Sequence, residues 1–157
     1  VPTEKDNFWR KQMVHGHVHD PSAALLGGVA GNAGIFSNVS DLAILFQMLE
    51  QGGSYKGEQI FKPETIQLFV SRQENSHRGL GFNKPSITGS TFGVCDEASS
   101  KTYGHTGFTG TCVWVDPESD LIYIFLSNRV YPKVNKRIYQ YGVRKGIHNI
   151  IYKSMLD

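Results

Sequence analysis

The residues most able to do chemistry lie in one run, Tyr103-Gly104-His105-Thr106-Gly107-Phe108-Thr109-Gly110-Thr111. An imidazole can donate to an anion or pass a proton near neutral pH. Glycine at a strand opening weakens pairing unless another backbone or a ligand must come close. A polar, glycine-spaced opening ahead of apolar strands is therefore a way for a sheet edge to line a cleft. Taken alone, His105 reads first as a hydrogen-bonded histidine at a strand start. Asn128 and Arg129 lie just past a strand end and could reach an anionic group, although a solvated loop pair fits as well. His15, His17 and His19 alternate, and on a strand they would share one face as a zinc site requires. Asp20-Pro21 ends any such strand and no fourth ligand cluster follows, so no metal is expected. Gly27 to Gly34 resembles a phosphate cradle only in composition, because no Gly-Lys-Ser/Thr follows it. No cofactor is expected.

The elements that must position this run are readable around it. Cys112-Val113-Trp114-Val115 and Leu121–Leu126 flank the turn formers Asp116-Pro117-Glu118-Ser119-Asp120, which predicts two strands over about 109–115 and 121–127. Asp20-Pro21 starts a short helix that Gly27-Gly28 ends. Ser40 reads as the N-cap of a helix with Leu42, Leu45, Phe46 and Leu49 as its apolar stripe, stopped at Gly52-Gly53. Pro63 opens another helix with Ile66, Phe69 and Val70 as its buried face. Residues 78–82 read as a short strand and 84–101 as a turn or hairpin region. The segment 134–155 is helical in spacing, with a break allowed at Gly142 or Gly146. Tyr139, Tyr141 and Tyr152 are expected against the sheet, and Lys133, Lys136, Arg137, Arg144 and Lys145 on a solvated face. Residues 1–14 read as a loosely held lead-in. The whole is α+β, an antiparallel sheet covered by helices.

A chain of 157 residues with 39% hydrophobic and 11% aromatic content is globular and fits a single domain. Sixteen basic side chains against 14 acidic ones leave a net charge of +2, too balanced to point to nucleic acid. No apolar run reaches the length of a membrane span. Two cysteines, Cys95 and Cys112, do not make a disulfide framework.

His105-Thr106-Gly107 is similar to the third motif of serine β-lactamases and penicillin-binding proteins, Lys-Thr-Gly, in which many relatives carry His for Lys. Val18-His19-Asp20, the run from Gly27 to Ser37, Ser40-Asp41-Leu42-Ala43 and Phe125-Leu126-Ser127-Asn128-Arg129-Val130 resemble the class C-like branch, which includes esterases and D-aminopeptidase-like enzymes. The resemblance runs from about 15 to 151. It implies the C-terminal part of the β-lactamase/transpeptidase fold. It also implies acyl-enzyme hydrolysis of a small-molecule or peptide acyl substrate: a β-lactam, a D-amino-acid amide of cell-wall peptide, or an ester. His105 and Thr106 would form the cleft wall, the backbone amide of Phe108 would enter the oxyanion hole, and Gly107, Thr109 and Asn128 would contact substrate. The family implies a periplasmic or other extracytoplasmic compartment; the residues themselves leave the cytoplasm open. One departure is decisive. The family's Ser-x-x-Lys and its Tyr-x-Asn or Ser-Asp-Asn are both missing. The expectation is therefore the C-terminal segment of a longer serine hydrolase, inactive alone, whose partner is the N-terminal portion of the same protein. An apolar face left without its partner helix would be exposed, and pairing into a homodimer would hide it. The alternative is a non-catalytic module or dead enzyme that recognises peptide or cell-wall fragments.

Overall fold

In the computed structural model, which describes residues 1–74, 76–87 and 93–156, the β-branched and aromatic residues after Thr111 form a strand buried along its whole length, β6 (Cys112–Asp116). It pairs antiparallel with β5 (Tyr103–Thr106) on one side and β7 (Leu121–Phe125) on the other, with Trp114 opposite both Gly104 and Tyr123. The turn at 116–120 closes through Ser119 N–H to Asp116 O at 3.2 Å. Both strands are shorter than expected: 109–111 belong to the loop, where Gly110 has φ +109°, and Ser127 lies beyond β7. An added Cβ at Gly104 would overlap the carbonyl oxygen of Val113 and come within 2.7 Å of the Trp114 ring. That is the close backbone approach the glycine spacing implied.

Val94, Cys112, Trp114 and Tyr123 form the core, with Ala98, Phe125 and Ile151 packed against them. The C-terminal segment breaks at Gly142, φ +57°, into α4 (Arg137–Gln140) and α5 (Val143–Leu156). From α5, His148 stacks on Tyr123 with ring centroids 4.4 Å apart, and Tyr152 donates to Asp116 Oδ2 at 2.5 Å. Burial opposes the charge on Asp116, yet hydrogen bonds from Ser99 Oγ and Tyr152 hold its carboxyl below the usual range. Burial pulls His148 down to about 4, and it pushes the Cys95 and Cys112 thiols up to about 11, as suits two buried, unpaired cysteines.

The outer elements depart further from expectation. Residues 1–14 form a hairpin, β1 (Glu4–Asp6) with β2 (Gln12–Val14), because the Asp6 carboxylate gathers the amides of Phe8, Trp9 and Arg10. α1 (Pro21–Leu25) starts at its Asp20 cap as expected. α2 (Val39–Glu50) takes its N-cap from Asn38, two residues before the predicted Ser40. Asn38 Oδ1 accepts from Asp41 N–H while its amide donates back to the Asp41 carboxylate. α2 lies against β7 but buries only Met48. A two-residue ribbon, β3 (Ser54–Tyr55) with β4 (Glu58–Gln59), leads to α3 (Pro63–Val70), where no residue is buried. The predicted buried stripes of α2 and α3 are thus only partly covered: Leu45 and Phe69 are each more than 40% exposed. Tyr141 is exposed rather than packed on the sheet, and Arg144 is buried rather than solvated. Residues 78–82 form a turn, not a strand, and Asn83 bridges to Gly104. Within the predicted turn region at 84–101, residues 88–92 lie outside the described residues. No helix among the described residues is long and apolar enough to cross a membrane.

Candidate active-site wall

The loop joining β5 to β6 carries the chemistry-bearing residues on an open edge. Gly107 and Thr111 close the loop through Gly107 N–H to Thr111 O at 2.8 Å, and Gly110 N–H returns to Gly107 O at 3.0 Å. The second bond fixes a peptide plane. In a trans peptide the N–H points opposite to its C=O. Since the Gly107 carbonyl turns towards Gly110, the Phe108 N–H points away from the turn, and no acceptor among the described residues takes it.

The next plane is pinned as well. Arg129 Nε donates to Phe108 O at 2.5 Å, and Arg129 N–H donates to Thr109 O at 2.8 Å. Arg144 Nη1 donates to Thr111 O at 2.8 Å. Both arginines are buried, and the Tyr139 ring lies 4.7 Å from the Arg129 guanidinium and 5.2 Å from that of Arg144. Two loop carbonyls, Phe108 O and Thr111 O, are thus drawn back into the protein by two guanidinium groups through charge-assisted bonds, and the backbone amide of Arg129 holds a third, Thr109 O. The Phe108 ring is held between Arg129, 4.2 Å from its centroid, and His19, whose ring is 5.3 Å away and nearly parallel. His19 is also 3.5 Å from Glu4. The three alternating histidines do not share a strand, because β2 ends at Val14 and the chain turns at Gly16, φ +71°.

His105 is exposed at the strand edge. Its Nδ1 is 2.8 Å from Thr106 O and its Nε2 is 3.0 Å from Arg78 Nη2. Thr106 and Thr109 are half-buried beside it. Asn128 sits elsewhere in the arrangement. Its amide donates to Pro2 O and Thr3 O, and its Oδ1 accepts from Val130 and Tyr131 N–H, so it ties the N-terminal hairpin to the strand end. An open concavity of about 470 Å³ is lined by Trp9, His17, Val18, the Gly27–Gly34 loop and Phe36, and no residue of the 103–111 run lines it.

The sequence points to His105 through Phe108 and to the loop that holds them. It does not point to Arg78, which is 27 residues away from His105 and reaches it only through the Asn83 bridge to Gly104. Nor does it give the bracing parts of Arg129 and Arg144. Arg129, read from its place past the strand end as able to reach an anionic group or as solvated, is instead buried and holds backbone carbonyls.

A family model described as Beta-lactamase matches residues 2–144. An Escherichia coli K12 protein named "Putative D-alanyl-D-alanine carboxypeptidase" is 39% identical over 142 residues, covering 85% of this chain and 32% of that protein. One of the same name from Salmonella gallinarum is 39% identical over 143 residues, covering 85% and 33%. The chain spans about a third of the length of these curated relatives. The crystal structure of a β-lactamase from Mycobacterium bovis superposes with a TM-score of 0.61 at 20% identity, covering 85% of this chain and 53% of that one. That last likeness is one of fold, α+β in both. With the family match spanning nearly the whole chain and the His-Thr-Gly edge in its strand context, the chain belongs to the β-lactamase family.

Proposed function

We propose that this chain forms one wall of the acyl-transfer cleft of a serine hydrolase, with the attacking serine and its proton acceptor on polypeptide outside these 157 residues. The observation that carries this is the Phe108 N–H, turned away from the Gly107–Gly110 turn in a plane fixed by that turn and followed by a second plane pinned at Phe108 O. When the serine oxygen adds to a carbonyl, the developing oxyanion needs fixed donors. One backbone amide so placed lowers the barrier by about 3–4 kcal/mol. The second donor would be the N–H of the serine itself. The carbonyl then re-forms, the C–N or C–O bond breaks, the leaving group takes a proton, and water later releases the acyl group from the serine. His105 and Thr106 would line the leaving-group side, and Thr109 would flank the oxyanion. Gly107 matters through its carbonyl, which aims the Phe108 amide. Asn128 would act as a brace, since its amide is already committed to the hairpin.

The names of the relatives favour a peptide ending in D-alanine as substrate, and such a substrate would be met at the cell wall, outside the cytoplasm. The test compares the complete protein with this chain alone, each offered nitrocefin, a p-nitrophenyl ester and an acyl-D-Ala-D-Ala peptide. The complete protein should give a covalent acyl adduct by mass spectrometry and release D-alanine. The isolated chain should give neither. A stoichiometric burst from the isolated chain would overturn the reading, and turnover of nitrocefin or the ester in preference to the peptide would move the substrate to those classes.

A further inference from the structure

We propose that His19 is a positioning residue for the acyl-transfer step: its ring steadies Phe108, and the β1–β2 hairpin seats that ring. The proposal rests on the wall reading above. Phe108 is 58% exposed, so packing in the core does not hold it. Its ring instead meets the Arg129 guanidinium, 4.2 Å from its centroid, and the His19 ring, 5.3 Å away and 25° from parallel. The amide nitrogen and the ring of Phe108 are joined through one Cα. A ring kept in one rotamer therefore restricts the backbone angles of its residue. The stack adds to the Gly107–Gly110 turn and the Arg129 bond, which fix the peptide planes on either side of that Cα.

Glu4 is the joint between the hairpin and the stack. Its Oε1 pairs with Arg10 Nη2, and its Oε2 lies 3.5 Å from His19 Nε2. Arg10 Nη1 donates to Val18 O at 2.8 Å, and its Nε donates to Asp6 Oδ2 at 3.0 Å. After His19, Asp20 Oδ1 caps α1 by accepting from Ala23 N–H at 2.8 Å. His19 is thus fixed at its ring edge and through the residues on either side of it. The hairpin has a second tie, since Asn128 donates to Pro2 O and Thr3 O, and the next residue is Arg129. Both groups that touch the Phe108 ring are therefore anchored to one small hairpin, although they stand far apart in the sequence. An imidazole suits the place because it offers a flat face to Phe108 and a polar edge to Glu4.

The test measures kcat, KM and the acylation rate of the complete protein on an acyl-D-Ala-D-Ala peptide, with urea unfolding of each variant. A stacked ring pair is worth roughly a factor of two to ten in an equilibrium. His19→Ala and His19→Gln should therefore lower kcat and the acylation rate by about two- to tenfold, with KM little changed because no substrate contact is lost. His19→Phe keeps a ring without the polar edge and should recover most of the rate, even where it is the less stable protein. Glu4→Gln should lower kcat by less than H19Q does. Should H19A fail to fold, H19Q and H19F carry the same comparison. Wild-type kcat in H19Q, an H19F protein as slow as H19Q, or a loss confined to KM would overturn the role of His19 and leave the wall reading intact. Wild-type kcat in E4Q would overturn the part given to the hairpin. Absence of any acyl adduct in the wild-type complete protein would overturn the wall reading and this proposal together.

Discussion

Replacing Arg129 with lysine tests whether the Phe108 amide is aimed by the clamp behind it. The arginine makes three kinds of contact: Nε to Phe108 O at 2.5 Å, Nη1 to Asn135 O at 2.8 Å, and ring contacts with Phe108 and Tyr139 at 4.2 and 4.7 Å. A lysine keeps the charge but cannot serve both carbonyls in one plane. Losing one hydrogen bond to a charged donor costs about 1.5–3 kcal/mol, and weakening the ring contacts costs about 0.5–1 kcal/mol more. The unfolding free energy should therefore fall by about 2–4 kcal/mol, a large share of the roughly 5–15 kcal/mol that a domain has. The Phe108–Thr109 plane would then be free to rotate, which loosens the turn whose Gly110 N–H to Gly107 O bond aims the Phe108 N–H. An oxyanion donor that is lost outright costs about 10²–10³ in kcat, so a partly misaimed one should cost about ten- to a hundredfold in the complete protein. The assay measures acylation by stopped-flow burst with an activated ester, alongside urea unfolding at the same temperature. Acylation at the wild-type rate in a visibly destabilised R129K protein would refute the reasoning, since it would make Arg129 a scaffold residue with no hold on the amide.

Three further outcomes follow from the geometry. Gly104→Ala should lower stability by at least about 2 kcal/mol, because the new methyl meets the Val113 carbonyl and the Trp114 ring and β5 must move away; a thermal midpoint within two or three degrees of wild type would refute this. Stability should fall as the pH drops from 6.5 towards 4, because burial lowers the His148 pKa from 6.5 to about 4 and only the unfolded chain takes up a proton across that window. The loss amounts to about 3 kcal/mol, and urea midpoints for His148→Gln should lack it. The isolated chain should bind an apolar dye or self-associate through faces that expose Leu25, Leu26, Ile35 and Ile150, whereas a monomeric light-scattering mass with no dye signal would count against an uncovered apolar face.

The parts legible in the sequence are those decided locally. The hairpin of β6 and β7 follows from apolar runs on either side of a turn cluster, and the break at Gly142 from a glycine in an otherwise helical stretch. The glycine spacing of the site run was readable because its cause, crowding by the neighbouring strand at Gly104, is a backbone constraint that leaves a residue-type signature. What was illegible depends on partners distant along the chain. Arg144 looks like a surface cation until Thr111 O and Tyr139 come beside it. Asn38 and Ser40 are both good caps, and only the reciprocal bond to Asp41 decides between them. The apolar stripes of α2 and α3 gave the correct helices but not their burial, because periodicity states which face is apolar and not what lies against it.

The way this wall is built follows from a conflict in what an oxyanion donor must do. Its N–H has to stand open to an incoming substrate, yet its peptide plane has to be immobile before the charge appears. Packing apolar side chains around the Gly107–Gly110 turn would fix the plane only by covering it. Holding the carbonyls from behind fixes the same planes and leaves the amide side bare. Only a donor can cap a carbonyl, and a donor that reaches several carbonyls from within the protein must be long, planar and permanently charged, which describes arginine and no other residue. Desolvating such cations is expensive. Here each is compensated by carbonyl oxygens and by the π-face of Tyr139, and Arg129 by that of Phe108 as well.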